Sequence, residues 1–335
     1  MKTTIAGILF FSCAFAAGVG SQSANGTGRL VYIGTYTGET SKGIYAFRFD
    51  DKTGALTPAG LVAETPSPSF LTAAANGRFV YAVNELQTFG GEASGSVTAF
   101  AADPATGKLT ELNTQPTKGA GPCHLALDRT GRYLAVANYS GGNFALFPVG
   151  TDGRLEPASA VVAGEATEPG PSGKIVRLGH SVGFDATNKY MIAADKGLSR
   201  MLVWAFDAAK GTLTPHGSAA VAPGSGARHY AFDPKGRWLF TITEQGATID
   251  TLAWDQKAGT LTPRSSVSTR PAGVTKGSTA EIAVHQNGRF VYGSNRGDDS
   301  IAWFNLTDHA STRRRRALTL TRARPDHVRS PAQGP

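Results

Sequence analysis

A Gly-Arg pair recurs along this chain at Gly77-Arg78, Gly131-Arg132, Gly236-Arg237 and Gly288-Arg289, and Asn188-Lys189 stands in the same phase. The steps are 54, 57, 48 and 52 residues. A second marker keeps time with the first: TGALTP from Thr53, TGKLTE from Thr106, DGRLEP from Asp152, KGTLTP from Lys210 and AGTLTP from Ala258. Two independent signals in phase restrict the chain to a repeat architecture. Each unit reads as four short strands. In the stretch Gly121 to Tyr139 the first runs over His124 to Leu127, a turn follows at Asp-x-x-Gly-Arg, and the second covers Tyr133 to Ala137. The third strand is a segment such as SVTAF or MLVWAF, and the fourth is the LTP marker. Alternation, β-branched and aromatic residues and Gly/Asp turns favour strand, and no stretch sustains a helical period.

The fold class is therefore all-β: a β-propeller of four-stranded antiparallel blades. Six units are recognisable. The first opens at its second strand (RLVYIGTYT), and the sixth is expected to stop after its third (SIAWF), so a seventh blade and a closing strand are missing from the pattern. The expected organisation is a signal peptide at 1–24, a propeller over 29–304, and an aberrant, disordered basic tail over 305–335. Lys2 followed by the 15-residue apolar run Ile5 to Val19 and small residues fits a cleaved secretory signal. It falls short of the roughly 20 residues that span a bilayer. A secreted or periplasmic location follows, with a cytoplasmic one as the alternative and no stable membrane insertion after cleavage. Once the signal is removed Cys123 is the only cysteine, so no internal disulfide is possible.

The formal charge of +8 hints at nucleic acid, but its placement argues otherwise. The tail from Asn305 holds seven Arg against two Asp, so the other 304 residues carry only three net positive charges. The body lacks a basic stripe, and nucleic acid is not an expected partner.

Aligning the units places their polar variation in a few columns. Just before the first strand stand Ser69, Cys123, His180, Arg228 and Ala280, followed by Phe70, His124, Ser181, His229 and Glu281. At the end of the second strand stand Asn84, Asn138, Asp195, Thr243 and Asn295. The next column holds Tyr36, Glu85, Tyr139, Lys196, Glu244 and Arg296. Antiparallel neighbours bring the start of one strand beside the end of the other. The columns should then form a polar ring at one mouth of the central channel. Alone, an Asn or Ser there serves backbone structure. Arg228, Glu244 and Arg296 are costly at a partly dry mouth without partners and favour function.

Two Arg, a Glu and His residues around one pocket suit a small anionic or sugar-derived molecule. Ester or lactone hydrolysis fits, with Glu244 or His180 as base on water and Arg as electrophile. The expected catalytic set is His180, Arg228, Glu244 and Arg296. The expected substrate-binding set is His124, Asn138, His229, Asn84, Glu85 and Asn295. No serine elbow and no metal signature is apparent, and no cofactor or metal is expected.

The segments YIGTYT, GPCHLALDRTGRYLAVANYSGG, GSGARHYAFDPKGRWLFTITE and STAEIAVHQNGRFVYGSNRGDDSIAWF resemble the seven-bladed propeller lactonases, over about Arg29 to Phe304. That family includes bacterial 6-phosphogluconolactonase and fungal carboxymuconate cyclase. The resemblance implies a site on His180 in LGHSVGFD, Arg228 in GARHYAFD, Glu244 in TITEQG and Arg296 in SNRGDD, which fall in the ring columns. It departs at Leu178, where the family has a second His, at Asn188-Lys189 in place of Gly-Arg, and after Phe304. The expected function is a hydrolase opening a sugar-acid lactone, impaired if the propeller is incomplete. The alternatives are a carboxymuconate-type cycloisomerase and an exported binding module without turnover.

Overall fold

The computed structural model describes residues 28–164, 176–306 and, as backbone, 313–319. The segment expected as a signal peptide lies outside the described residues. Six antiparallel sheets follow one another along the chain. The first has three strands, β1 (Arg29–Ile33), β2 (Gly43–Phe49) and β3 (Leu56–Glu64). The second has β4 (Leu71–Ala73), β5 (Phe79–Asn84), β6 (Ser96–Ala102) and β7 (Leu109–Pro116). The third has β8 (Pro122–Leu127), β9 (Tyr133–Asn138), β10 (Asn143–Pro148) and β11 (Ala160–Val162). The fourth has β12 (Gly179–Phe184), β13 (Tyr190–Asp195), β14 (Arg200–Asp207) and β15 (Thr212–Ala220). The fifth has β16 (Ala227–Phe232), β17 (Trp238–Thr243), β18 (Thr248–Asp255) and β19 (Thr260–Ser268). The sixth has β20 (Ser278–Val284), β21 (Phe290–Arg296), β22 (Ser300–Asn305) and β23 (Arg313–Thr319). Each sheet pairs its strands in chain order, the meander of a propeller blade.

Two expectations need correction. The sixth unit does not stop at its third strand, because Arg313–Thr319 pairs antiparallel with β22. The outer strands β15 and β19 carry the LTP marker, whereas Arg313–Thr319 pairs in the same position without it. In the third blade the marker residue Leu155 forms only an isolated bridge to Val149, and the outer strand comes later, at Ala160–Val162. Leu155 is buried in the core between the second and third blades.

The turns show why the markers repeat. Asp128 Oδ1 accepts the backbone N–H groups of Arg132 (2.7 Å) and Tyr133 (2.9 Å). Asp185 and Asp233 repeat the arrangement on Lys189 and Tyr190, and on Arg237 and Trp238. The Gly of the Gly-Arg pair has positive φ in each copy, and Asn188 takes that slot at φ 58°. Asn is among the few side chains that tolerate this region. Asn188 also joins blades: its Nδ2 donates to Asp128 Oδ2 (2.8 Å) and its Oδ1 accepts from Arg129 N (2.9 Å).

Strands β5, β9, β13 and β17 are buried nearly throughout, because each blade is covered on both faces by its neighbours. The first strands of successive four-stranded blades touch one another (β4 with β8, β8 with β12, β12 with β16, β16 with β20), which places them innermost. Among the described residues no strand of the first sheet packs on the sixth sheet in this way.

Candidate active site

The ring columns owe their aim to a recurring irregularity. The pairing of β12 with β13 passes from Gly179↔Asp195 to Ser181↔Ala194 and skips His180. The pairing of β16 with β17 skips Arg228 in the same way, and that of β8 with β9 skips Cys123. The β20–β21 pair shifts between Thr279 and Ile282, around Ala280 and Glu281. A bulge inserts one residue, breaks the alternation of faces and re-aims a side chain. Here it recurs at the same end of the innermost strand in the third to sixth blades.

His180, Arg228, Glu244 and Arg296, expected from the sequence, converge. Glu244 Oε2 lies 2.9 Å from Arg228 Nε, 3.2 Å from Arg296 Nη2 and 3.9 Å from His180 Nε2. Its Oε1 accepts from Lys196 Nζ at 2.7 Å. Lys196 also donates to Tyr139 Oη (3.0 Å). Lys196 and Tyr139 stood in the aligned column but outside the expected site; a Lys at a strand end reads as a solvated charge until the distance to the next blade is known.

One carboxylate is thus shared by three cations. Burial disfavours the charge on Glu244, but the hydrogen bond and charge of Lys196, then Arg228 and Arg296, outweigh it and hold the carboxyl below its usual range. Burial pulls the Arg228 guanidinium down from its usual value, against the attraction of Glu244. Arg228 Nη1 further donates to the Ala280 carbonyl (2.6 Å). Arg296 is the accessible member, with its side chain 28% exposed against 6% for Arg228 and 12% for Lys196. Its Nε has no hydrogen-bond partner among the described residues. Burial, reinforced by Arg228 and His229, pushes His180 well below the usual imidazole range, so it is neutral near pH 7. Glu244 has both oxygens claimed by cations, and His180 resists a proton beside Arg228.

The other expected residues divide. His124 stacks on Phe70 (ring centroids 4.1 Å) and meets His229 (5.1 Å), which meets His180 (5.1 Å). Burial keeps His124 neutral, and its Nδ1 accepts from Val182 N at 3.4 Å. His229 Nδ1 pairs with Glu281 Oε2 at 3.0 Å, while its buried Nε2 has no partner among the described residues. Glu85 Oε2 accepts from Tyr36 Oη (2.8 Å) and Ser69 Oγ (2.5 Å). The three asparagines behave differently from the expected substrate contacts. Asn84 donates to Thr65 Oγ1 and Pro66 O, Asn138 to Thr117 O and Asn143 Oδ1, and Asn295 to Thr269 O and Ser300 Oγ. All three are buried with their NH2 groups donated to structural ties, while Asn138 Oδ1 is buried with no hydrogen-bond partner among the described residues. They precede the ring column by one residue, and strand alternation turns them away from it.

Cys123 places its Sγ 3.8 Å from His180 Nδ1, but burial pushes the thiol far above its usual range and leaves it a poor nucleophile. Among the described residues no group of three or more His, Cys, Asp or Glu is arranged to hold a metal ion.

Radial antiparallel sheets, with a cluster of cations and imidazoles on their first strands and at the ends of their second strands, define a β-propeller. The model of the family described as lactonase, 7-bladed beta-propeller, matches residues 30–329, and the chain belongs to that family. It is 34% identical over 281 residues to the 6-phosphogluconolactonase of Bacillus subtilis, covering 83% of this chain and 78% of that one. It is 27% identical over 282 residues to the 6-phosphogluconolactonase of Formosa agariphila, covering 82% and 78%. The solved periplasmic gluconolactonase PpgL of Pseudomonas aeruginosa superposes with a TM-score of 0.79 at 30% identity, over 88% of this chain and 83% of that one.

Proposed function

We propose that the cluster formed by His180, Lys196, Arg228, Glu244 and Arg296 opens a sugar-acid lactone by hydrolysis. The observation that carries this reading is the sharing of Glu244 among three cations, which leaves a local surplus of cationic donors around that carboxylate, with Glu281 and Glu85 as the other anions nearby. Such a surplus stabilises the oxyanion that forms when water adds to a lactone carbonyl, and then the carboxylate product. Arg296, the most exposed of the three cations, presents its guanidinium to that oxygen. Arg228, Lys196 and Glu244 fix one another and hold the field without reorganisation. Neutral His180 lends a polar ring edge to the substrate hydroxyls, and His124 and His229 line the floor beside it. The chemistry asks for no cofactor.

The signal-like leader and the likeness to a periplasmic gluconolactonase support a secreted or periplasmic setting, where an unphosphorylated sugar lactone is the fitting substrate. The test is hydrolysis of glucono-1,5-lactone and its 6-phosphate by the purified chain, above the uncatalysed rate. Turnover of the unphosphorylated lactone is expected. Turnover of the phosphate ester alone would overturn the extracytoplasmic setting, and turnover of neither would overturn the lactonase reading.

A further inference from the structure

The column just after the second strand links blade to blade in two runs. Tyr36 bonds Glu85, Tyr139 bonds Lys196, Lys196 bonds Glu244, and Glu244 pairs with Arg296. Two carboxylates therefore stand in equivalent positions, on the second and fifth blades, in opposite company. Glu244 is enclosed by cations. Among the described residues Glu85 makes no ion pair; its Oε2 receives two neutral hydroxyls, and its Oε1 receives none.

We propose that Glu85 is the proton-transferring catalytic residue of this site, with Tyr36 and Ser69 as positioning residues. The inference rests on the lactonase reading above. The charged and titratable groups facing Glu85 come from three blades: Tyr36, Cys123 and Arg228. The Arg228 charge acts on Glu85 as well as on Glu244, so the two carboxylates share that guanidinium as a neighbour. A lactone bound between Glu85 and Arg296 would present its carbonyl oxygen to the latter and the attacking water to the former. Glu85 Oε1 takes one proton from that water as the water oxygen bonds to the carbonyl carbon. The carbonyl π pair moves onto oxygen beside Arg296. Collapse of the adduct breaks the ring C–O bond, and the departing alkoxide takes the proton back from Glu85. Lactone and water become the hydroxy acid, which ionises to solvent.

The environment suits that cycle. Burial raises the Glu85 carboxyl above its ordinary value of 4.5, and the Ser69 and Tyr36 hydrogen bonds offset only part of the rise. A pair of carboxylates pushed in opposite directions is the usual sign of divided roles.

The experiment measures gluconolactone hydrolysis against pH for the parent, Glu85→Gln, Glu85→Ala and Tyr36→Phe. Glu85→Gln should lower kcat by about 10²- to 10⁴-fold, the usual worth of general acid–base catalysis, with KM within about threefold and the acid limb of the pH profile abolished. Acetate or formate should restore part of the Glu85→Ala rate. Tyr36→Phe removes a bond that favours the charged form, so its acid limb should move to higher pH. Parental kcat in Glu85→Gln, or an unmoved acid limb in Tyr36→Phe, would overturn the proposal while leaving the lactonase reading standing. A parent inactive on every gluconolactone would overturn both. A folding defect in the Glu85 variants would be seen by circular dichroism, and Tyr36→Phe would then decide.

Discussion

Glu244 gathers three cations because it sits on a ring whose neighbours are Lys196 and Arg296, with Arg228 brought in by the bulge beside it. Its side chain is only 14% exposed, so the pairing is not a surface ion pair of negligible worth. Removing one partner of a buried network leaves the others uncompensated and costs about 3 kcal/mol or more. Glu244→Gln should lower the thermal midpoint at pH 7. The pH dependence has a definite sign. A carboxyl held below its unfolded value stabilises the fold fully above that value and loses the contribution as pH falls toward its folded one. The stability gap between parent and Glu244→Gln should therefore be widest near pH 7 and close below about pH 4.5, the ordinary carboxyl value. A gap independent of pH, followed by calorimetry, would show that the carboxylate charge is not the stabilising feature. The four catalytic candidates were legible in the sequence because aligned columns placed them at one end of one strand pair. Lys196 was equally aligned but chemically unremarked, and the asparagines were assigned to substrate because the column could not reveal which face they point to.

Blades succeed or fail at their turns. The Asp carboxylate that closes each Asp-x-x-Gly turn takes two backbone N–H groups that would otherwise be orphaned at the start of the next strand. In the fourth blade the Gly is replaced by Asn188, which keeps the left-handed backbone and adds two bonds to the third blade. Asn188→Ala should cost about 1–3 kcal/mol, because it combines left-handed strain with the loss of both bonds to the third blade. Asn188→Gly, which relieves the strain but not the lost bridge, should cost less. Denaturant unfolding of the two variants checks the order; equal losses would mean that the bridge alone matters. The strand order and the turns were readable from the repeated Gly-Arg and LTP markers. The bulges were not, since a one-residue insertion at His180 or Arg228 introduces no glycine and leaves no mark in composition. The outer strand Arg313–Thr319 pairs through its backbone but lacks the LTP marker of outer strands such as β15 and β19, so nothing in its composition announces it.

At the scale of the molecule, two sheet faces stand apart from the contacts that join neighbouring blades. Val31, Ile33, Tyr45 and Phe47 on the first sheet, and Tyr292 and Trp303 on the sixth, belong to none of the buried clusters between blades. Apolar sheet faces and a β1 edge that pairs with no further strand among the described residues favour association. The 335-residue chain should show a scattering mass that rises with concentration, and Phe47→Ser combined with Trp303→Ser should flatten that rise. A parent that is monomeric at every concentration would contradict this. The proposed site draws on the first to sixth sheets, so its chemistry depends on the ring and not on any single unit. The most direct test of that dependence is the steady-state hydrolysis of glucono-1,5-lactone by the parent and by Arg296→Ala, whose cation comes from the sixth blade while the carboxylate it meets comes from the fifth. The account predicts a loss in kcat/KM of at least about 100-fold, the scale set by removing one oxyanion donor, in a protein that still folds. A folded Arg296→Ala protein with the parental kcat/KM would contradict it.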